Sequence, residues 1–219
     1  MILRRILLSL IPLSLAFAST LAFAQVDAQE EEPAAVGEVT RIQGTAFVRN
    51  ARNFGVLSPN SPLAAGDRII TGRGSRVELT LQDGSVITLG GTTDFTVSDY
   101  AFKPRDDIGT AVFKLARGAF RAVTGRISSV SRPDFRVQTP VATAGVRGTD
   151  FWGGLRFFDD HLHVALLGGS GVFVESGGRT VDIEQVGYGV TARKDQAPSE
   201  PAVWDTEKMT KAAASVTWD

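Results

Sequence analysis

"RVELTLQDGSVITLG", residues 76–90, is the stretch whose reading decides the fold class. Val77, Leu79 and Leu81 alternate with Glu78 and Thr80, so an extended chain here has one apolar and one polar face. Asp83-Gly84 supplies the turn, and Val86 to Leu89 resumes the apolar run, which together read as a β-hairpin. The same texture extends outward in both directions. In "GEVTRIQGTAFVR" (37–49), Val39, Ile42, Ala46 and Val48 are the inward residues around Gly44. Further strands are expected at 95–97, 111–115, 119–123, 135–139, 151–157, 161–167, 171–175, 180–183 and 189–191. Turn signals about 8 to 12 residues apart predict an all-β protein of stacked short strands, β-solenoid-like or a β-sandwich. No helical periodicity is sustained across this region, and a parallel α/β sheet needs crossover helices.

The ends of the chain read differently. Arg4 and Arg5, the apolar run 6–17 and the small residues of Ala22-Phe23-Ala24 form a secretory signal, with cleavage expected between Ala24 and Gln25. The expected boundaries are a signal peptide at 1–24, an acidic linker at 25–36, a β domain at 37–193 and a connector with an amphipathic helix at 194–219. Asp205 is the expected cap of that helix. Met209, Ala212, Ala213 and Val216 form its apolar stripe, and Trp204 and Trp218 are expected to anchor it on the β body. No later stretch is apolar for long enough to span a bilayer, so no stable span is expected after processing. The chain has no cysteine, which excludes disulfides, thiolate metal sites and a thiol nucleophile. Without Arg4 and Arg5 the balance is 21 basic against 24 acidic side chains, and nothing in it points to nucleic acid.

The densest cluster of small residues is "TPVATAGVRGTDF", 139–151. A phosphate loop requires a lysine and a following helix, whereas Phe151-Trp152 continues as strand. Gly145 and Gly148 are therefore read as places where the backbone turns or approaches a neighbour closely. Arg147 is read as structural, capping free carbonyls or pairing with Asp150 or Asp67, and a ligand-binding arginine is the alternative.

These residues resemble the FecR domain, a family named for a regulator of ferric citrate transport. Gly145, Arg147, Gly148 and Thr149 fall in its signature. The phrases "LAAGDRIITGRGSRVELTLQDGSVITLG", "LARGAFRAV", "VALLGGSGVFVE" and "VDIEQVGYGVTA" follow the family's order, so the resemblance covers about residues 36–193. It implies a non-catalytic, periplasmic envelope module. In full regulators of the family the domain links a TonB-dependent receptor to a cytoplasmic anti-sigma segment through a membrane helix. This sequence departs from that plan: a signal peptide leads directly into the β domain, and 26 residues follow Arg193. The resemblance therefore speaks for fold and compartment more than for iron signalling.

Three groups of residues bear on chemistry. His161 and His163, the chain's two histidines, share one face of a strand, and Asp159 or Asp160 offers a third metal ligand. The alternative is an exposed strand after an acidic turn. Serine hydrolysis lacks a Gly-x-Ser-x-Gly elbow. Glycosidase chemistry has candidate carboxylates at Asp83, Asp94, Asp99, Asp150 and Glu175, read mostly as turn formers and solvated faces. Between 114 and 147 stand Lys114, Arg117, Arg121, Arg126, Arg132, Arg136 and Arg147 against one acid, Asp134. Arg117, Arg121, Arg126, Arg132 and Arg136 make a basic patch for an anionic envelope polymer or acidic partner if strands gather them, and alternation scatters them otherwise. The expectation is a periplasmic interaction module with no catalytic residues, no cofactor and no resident metal, binding an envelope protein or cell-wall polymer. The rivals are an accessory in receptor-linked sigma regulation and a carbohydrate-active hydrolase on a β-helical scaffold.

Overall fold

The computed structural model describes residues 34–146 and 148–218. The expected signal segment with its Ala24–Gln25 junction, most of the linker, and Arg147 lie outside the described residues. Strands follow one another in the order β1 (Ala35–Gln43), β2 (Ala46–Arg49), β3 (Phe54–Val56), β4 (Pro62–Ala64), β5 (Arg68–Thr71), β6 (Arg76–Leu81), β7 (Val86–Leu89) and β8 (Asp94–Lys103). Next come β9 (Ile108–Val123), β10 (Asp134–Gln138), β11 (Thr143–Val146), β12 (Thr149–Leu155), β13 (Leu162–Gly169) and β14 (Val172–Ser176). Then β15 (Arg179–Ile183), β16 (Tyr188–Ala192) and β17 (Ala202–Val203) lead into α1 (Thr206–Val216), the one α-helix among the described residues. The fold is all-β with a short C-terminal helix, as the alternation and turn spacing predict. Its first strand begins at Ala35, inside the stretch read as linker.

Hydrogen-bonded pairing sorts the strands into two sheets. Sheet A runs β4-β1-β6-β7-β9-β12-β13-β16-β17. Sheet B runs β3-β2-β5-β8-β9-β10-β11-β14-β15. Pairing is antiparallel except between β9 and β10. Hairpins contribute to both layers: β6–β7 and β12–β13 to A, and β8–β9, β10–β11 and β14–β15 to B. The result is two sheets whose inner faces share one core, which fits the sandwich expectation.

The two sheets share β9. Its first half pairs with β8 and β10 in sheet B, and its second half with β7 and β12 in sheet A. Sequence reading expects two separate strands here, 111–115 and 119–123, whereas the structure has one strand whose apolar parity changes along its length. Ala111, Phe113 and Leu115 point into the core, and so do Phe120 and Ala122. A straight strand would send Phe113 and Phe120 to opposite faces. The bend between them is made at Gly118, whose φ is +96°, a conformation that L side chains rarely adopt. Both rings thereby join a closed ring of phenylalanines between the layers. Neighbouring centroids are 5.3 Å apart for Phe95–Phe113, Phe113–Phe135 and Phe120–Phe151, 5.9 Å for Phe95–Phe120 and 6.4 Å for Phe135–Phe151. Sheet B contributes Phe95, Phe113 and Phe135 and sheet A the other two, so this ring holds the layers together.

α1 forms a third layer on the outer face of sheet A. Ala119, Trp152 and Ala165 from the sheet pack against Trp204, Ala212 and Val216, a cluster separate from the main core. The Trp152 indole N–H donates to Ser215 Oγ at 3.0 Å, and Trp152 meets Trp204 edge-to-face at 5.7 Å. At the N-terminus the Asp205 carboxylate accepts the Lys208 amide at 2.7 Å. At the C-terminal end the Arg76 guanidinium donates to the Ala214 carbonyl at 2.8 Å, placing positive charge at the negative end of the helix dipole. Replacing Asp205→Ala removes the cap, and a stability loss of about 1 kcal/mol is expected in chemical denaturation.

Candidate functional site

Because Val77, Leu79 and Leu81 are buried, Glu78 and Thr80 of β6 project from the outer face of sheet A. Register extends this into rows across the sheet. One row reads Arg41, Glu78, Thr88, Arg121 and Trp152, and the next reads Glu38, Thr80, Val86, Val123 and Asp150. α1 covers the Trp152 end of this face. The open end forms a groove of 390 Å³ lined by Glu78, Val86, Thr88, Arg121, Val123 and the end of the chain at Val216, Thr217 and Trp218. Arg121 grips Asp150 through two hydrogen bonds of 2.8 and 2.6 Å, and this bond raises the arginine's pKa. The Arg41 guanidinium lies 4.2 Å from the centre of the Trp218 ring, fixing the indole at the groove's edge. Glu78 accepts from the Thr40 hydroxyl at 2.9 Å, and Thr80 donates to Thr40 at 3.2 Å.

The histidines are placed by different surroundings. His163 is 4 % exposed beneath α1. Its Nε2 bonds Asp159 Oδ1 at 2.8 Å, while Nδ1 lies 3.0 Å from Thr191 Oγ1 and 3.2 Å from Lys208 Nζ. An ammonium can only donate, so Nδ1 accepts and Nε2 carries the proton given to Asp159. The Phe158 and Trp204 rings enclose the imidazole at 5.3 and 6.3 Å, and the Lys208 ammonium sits 4.1 Å from the Trp204 ring centre. His161 instead accepts from Arg193 Nε at 3.2 Å. The alternative of an exposed strand fails at His163, because a helix 45 residues further along the chain covers it. Among the described residues no three His, Asp, Glu or Cys side chains gather in metal-ligating geometry.

Burial lowers the His163 pKa below its ordinary value of 6.5, opposed by the bond to Asp159 and helped by the Lys208 and His161 charges. Asp159 lies lower than usual although its burial acts to raise it, because His163 and the His161 amide donate to it. The sign follows from proton linkage. A histidine whose folded pKa is depressed holds fewer protons folded than unfolded, so its stabilising effect is complete above 6.5 and is lost as pH falls towards the folded value. Protonating Nδ1 would set it against Lys208. A falling melting temperature is expected as pH drops below 6.5. His163→Gln should flatten that slope and His161→Asn should keep it.

The carboxylates raised by sequence reading are mostly committed. Asp83 is 1 % exposed, not part of a solvated face. It accepts from Ser85 Oγ at 2.6 Å, Tyr100 Oη at 3.0 Å and the Ile127 amide at 3.1 Å. Burial, and then the adjacent carboxylate, push the Tyr100 hydroxyl above the ordinary tyrosine range. Asp94 is bound by Arg68, and Asp67 accepts from Asn50 Nδ2 and the Ala64 amide. Asp99 and Glu175 are exposed.

The signature residues lie on β11, β12 and the turn between them. Gly145 stands opposite Phe173, whose ring carbons lie 2.1 to 2.9 Å from where a Cβ would be, so any side chain there would displace the ring. Gly148 has a φ of +78°. Thr149 Oγ1 donates to the Gly171 carbonyl at 2.7 Å and accepts its amide at 3.2 Å. The basic residues are dispersed. Arg121 projects from the outer face of sheet A, while Arg136 lies on the outer face of sheet B and pairs with Asp134. Arg126 lies over the Phe102 ring at 5.4 Å and donates to the Gln82 carbonyl. Arg117 stands at the β9 bend and Arg132 in the loop before β10, both exposed.

Comparison with known proteins places this geometry. Two crystal structures of a candidate anti-sigma factor from Parabacteroides distasonis ATCC 8503, at 2.50 and 1.65 Å resolution, share the fold with a TM-score of 0.51 and 19% sequence identity. The match covers 65% of this chain and 62% of that one, so the chain spans less than two thirds of the solved structures it matches. Among curated proteins none matches the chain. The family model described as FecR protein matches residues 67–170, from Asp67 before β5 through the bend of β9 and the 139–151 signature to the β13–β14 turn. Over those residues the chain is similar to the FecR domain.

Proposed function

We propose that this chain is an exported, periplasmic, non-catalytic interaction module that holds an envelope component, protein or cell-wall polymer, on the open part of sheet A's outer face. One contrast carries the reading. The side chains that resemble catalytic groups are spent inside the molecule: Asp83 on turn amides and hydroxyls, and His163 on Asp159, Thr191 and Lys208. The face bearing Glu78, Thr88 and Arg121 is left open beside α1. The FecR domain match over residues 67–170 supports a signalling-related regulatory role. The family is envelope-associated, and among the described residues no helix is long and apolar enough to cross a membrane. The anti-sigma description belongs to the Parabacteroides protein, and a link to sigma regulation is the second reading, favoured by the shared fold.

Affinity purification of the tagged chain from native envelope extracts tests the proposal. Recovery of a TonB-dependent receptor supports receptor-linked signalling, and enrichment with peptidoglycan or lipopolysaccharide supports the polymer binder. Recovery of neither above an untagged control contradicts the reading.

A further inference from the structure

The groove on sheet A has a chemistry of its own, and the inference drawn from it rests on the reading of the chain as an envelope-binding module. Its floor is apolar where Val86 and Val123 stand side by side on paired strands, and Val123 is 39% exposed. Its end is closed by an indole, Trp218, pinned by Arg41. Between floor and rim stand a carboxylate, a hydroxyl and a guanidinium: Glu78, Thr88 and the Arg121 already paired with Asp150. The charges around the groove balance, since Arg41 and Arg121 face Glu78 and Asp150. A polyanion would gain from two guanidinium groups and lose to two carboxylates, so charge selects against it.

We propose that this groove binds a neutral glycan chain, its sugar rings packed on Trp218 and the valine floor and its hydroxyl or acetamido groups bonded by Glu78, Thr88 and Arg121. The C–H face of a pyranose ring is apolar, and its edge is a fan of donors and acceptors. A flat aromatic surface beside mixed donors and acceptors matches both features. Arg121 adds planar geometry, because its pairing with Asp150 holds the guanidinium in one orientation before any ligand arrives. The volume of 390 Å³ admits a short segment of chain at the open side of the sheet. Since no net charge drives the contact, the affinity is insensitive to salt.

The test is isothermal titration of the full chain with chitohexaose, a neutral N-acetylated glycan, and separately with dextran sulfate, a polyanion. Saturable chitohexaose binding is expected, equal at low and high salt, and weakened about tenfold or more by Trp218→Ala. Glu78→Gln, which keeps the shape and changes the hydrogen bonding, should weaken it too, with the melting temperature unchanged. Absence of chitohexaose binding overturns the inference. So does binding indifferent to both substitutions, or a preference for dextran sulfate that high salt abolishes. Failure here leaves the envelope module standing wherever affinity purification still recovers a partner, so the two readings fail separately.

Discussion

Asp83→Ala should lower stability by about 4 kcal/mol, since each buried donor left without a partner costs about 1–3 kcal/mol. The carboxylate sits in the β6–β7 turn, yet its partners come from three places. Ser85 belongs to the same turn, Tyr100 to β8 in the other sheet, and Ile127 to the short helical turn after β9. The Asp83 carbonyl also accepts the Arg126 amide at 2.8 Å, and Ser85 Oγ accepts the Gly125 amide at 2.9 Å. One aspartate thus ties a hairpin of sheet A to sheet B and to the segment that leaves the shared strand. Removing it takes the acceptor away from the Tyr100 hydroxyl and the buried Ile127 amide. The melting temperature should fall by about 12 °C on the scale for chains of this size. Thermal unfolding followed by circular dichroism reads the change directly. A shift of only a degree or two would mean that Asp83 is an ordinary surface turn residue.

Gly118→Ala should be comparably damaging, at about 4 kcal/mol from backbone strain and overpacking together. With φ at +96° the added Cβ would lie 2.3 Å from Thr93 Oγ1 and 2.5 Å from Thr93 Cα. Thr93 cannot step aside, because its hydroxyl accepts the Ala119 amide at 3.1 Å and lies 3.2 Å from the Ala119 carbonyl. The bend it holds decides whether Phe120 turns inward to join Phe113 and Phe95. Loss of the bend would therefore loosen the contact between the layers as well as the local turn. Gly178 makes a suitable control: its φ is +73° but a Cβ there meets nothing within 4 Å. Gly178→Ala should thus carry the backbone strain without the clash and destabilise clearly less. Equal melting temperatures for the two variants would refute this account of the bend.

What the sequence showed and what it hid follow from one distinction. The β6–β7 hairpin was legible because alternation and the Asp83-Gly84 turn are local, and both strands lie where expected. The Asp205 cap and most of the apolar stripe of α1 were legible for the same reason, but Ala213, expected in the stripe, is exposed, and Ser215 is buried instead, where its hydroxyl meets the Trp152 indole. β3, β4 and β5 are three or four residues long, too short for alternation to stand out. The continuity of β9 was hidden because its parity reverses at Gly118, which in a list of residues looks like a strand end. The site was less legible still. Glu78 and Thr80 were correctly read as a polar face, but their join with Arg41, Arg121 and Trp218 depends on strand order and on α1. His163 offered an alternating strand position and nothing to announce Lys208 above it. Asp83 looked like any turn aspartate, since Tyr100 and Ile127 are distant in sequence.

The most direct test of the proposed binding face compares two arginines that differ chiefly in the sheet from which they project. Arg121 and Arg136 each pair with an aspartate on an outer face, and their side chains are 45% and 43% exposed. Losing such a surface pair costs at most about 1 kcal/mol, so both Arg→Gln variants should remain folded. The tagged wild type, Arg121→Gln and Arg136→Gln would be purified in parallel from the same native envelope extract. The expected result is that the partner recovered with wild type is lost or strongly reduced with Arg121→Gln and kept with Arg136→Gln. Full recovery with Arg121→Gln, or loss confined to Arg136→Gln, would contradict docking on sheet A.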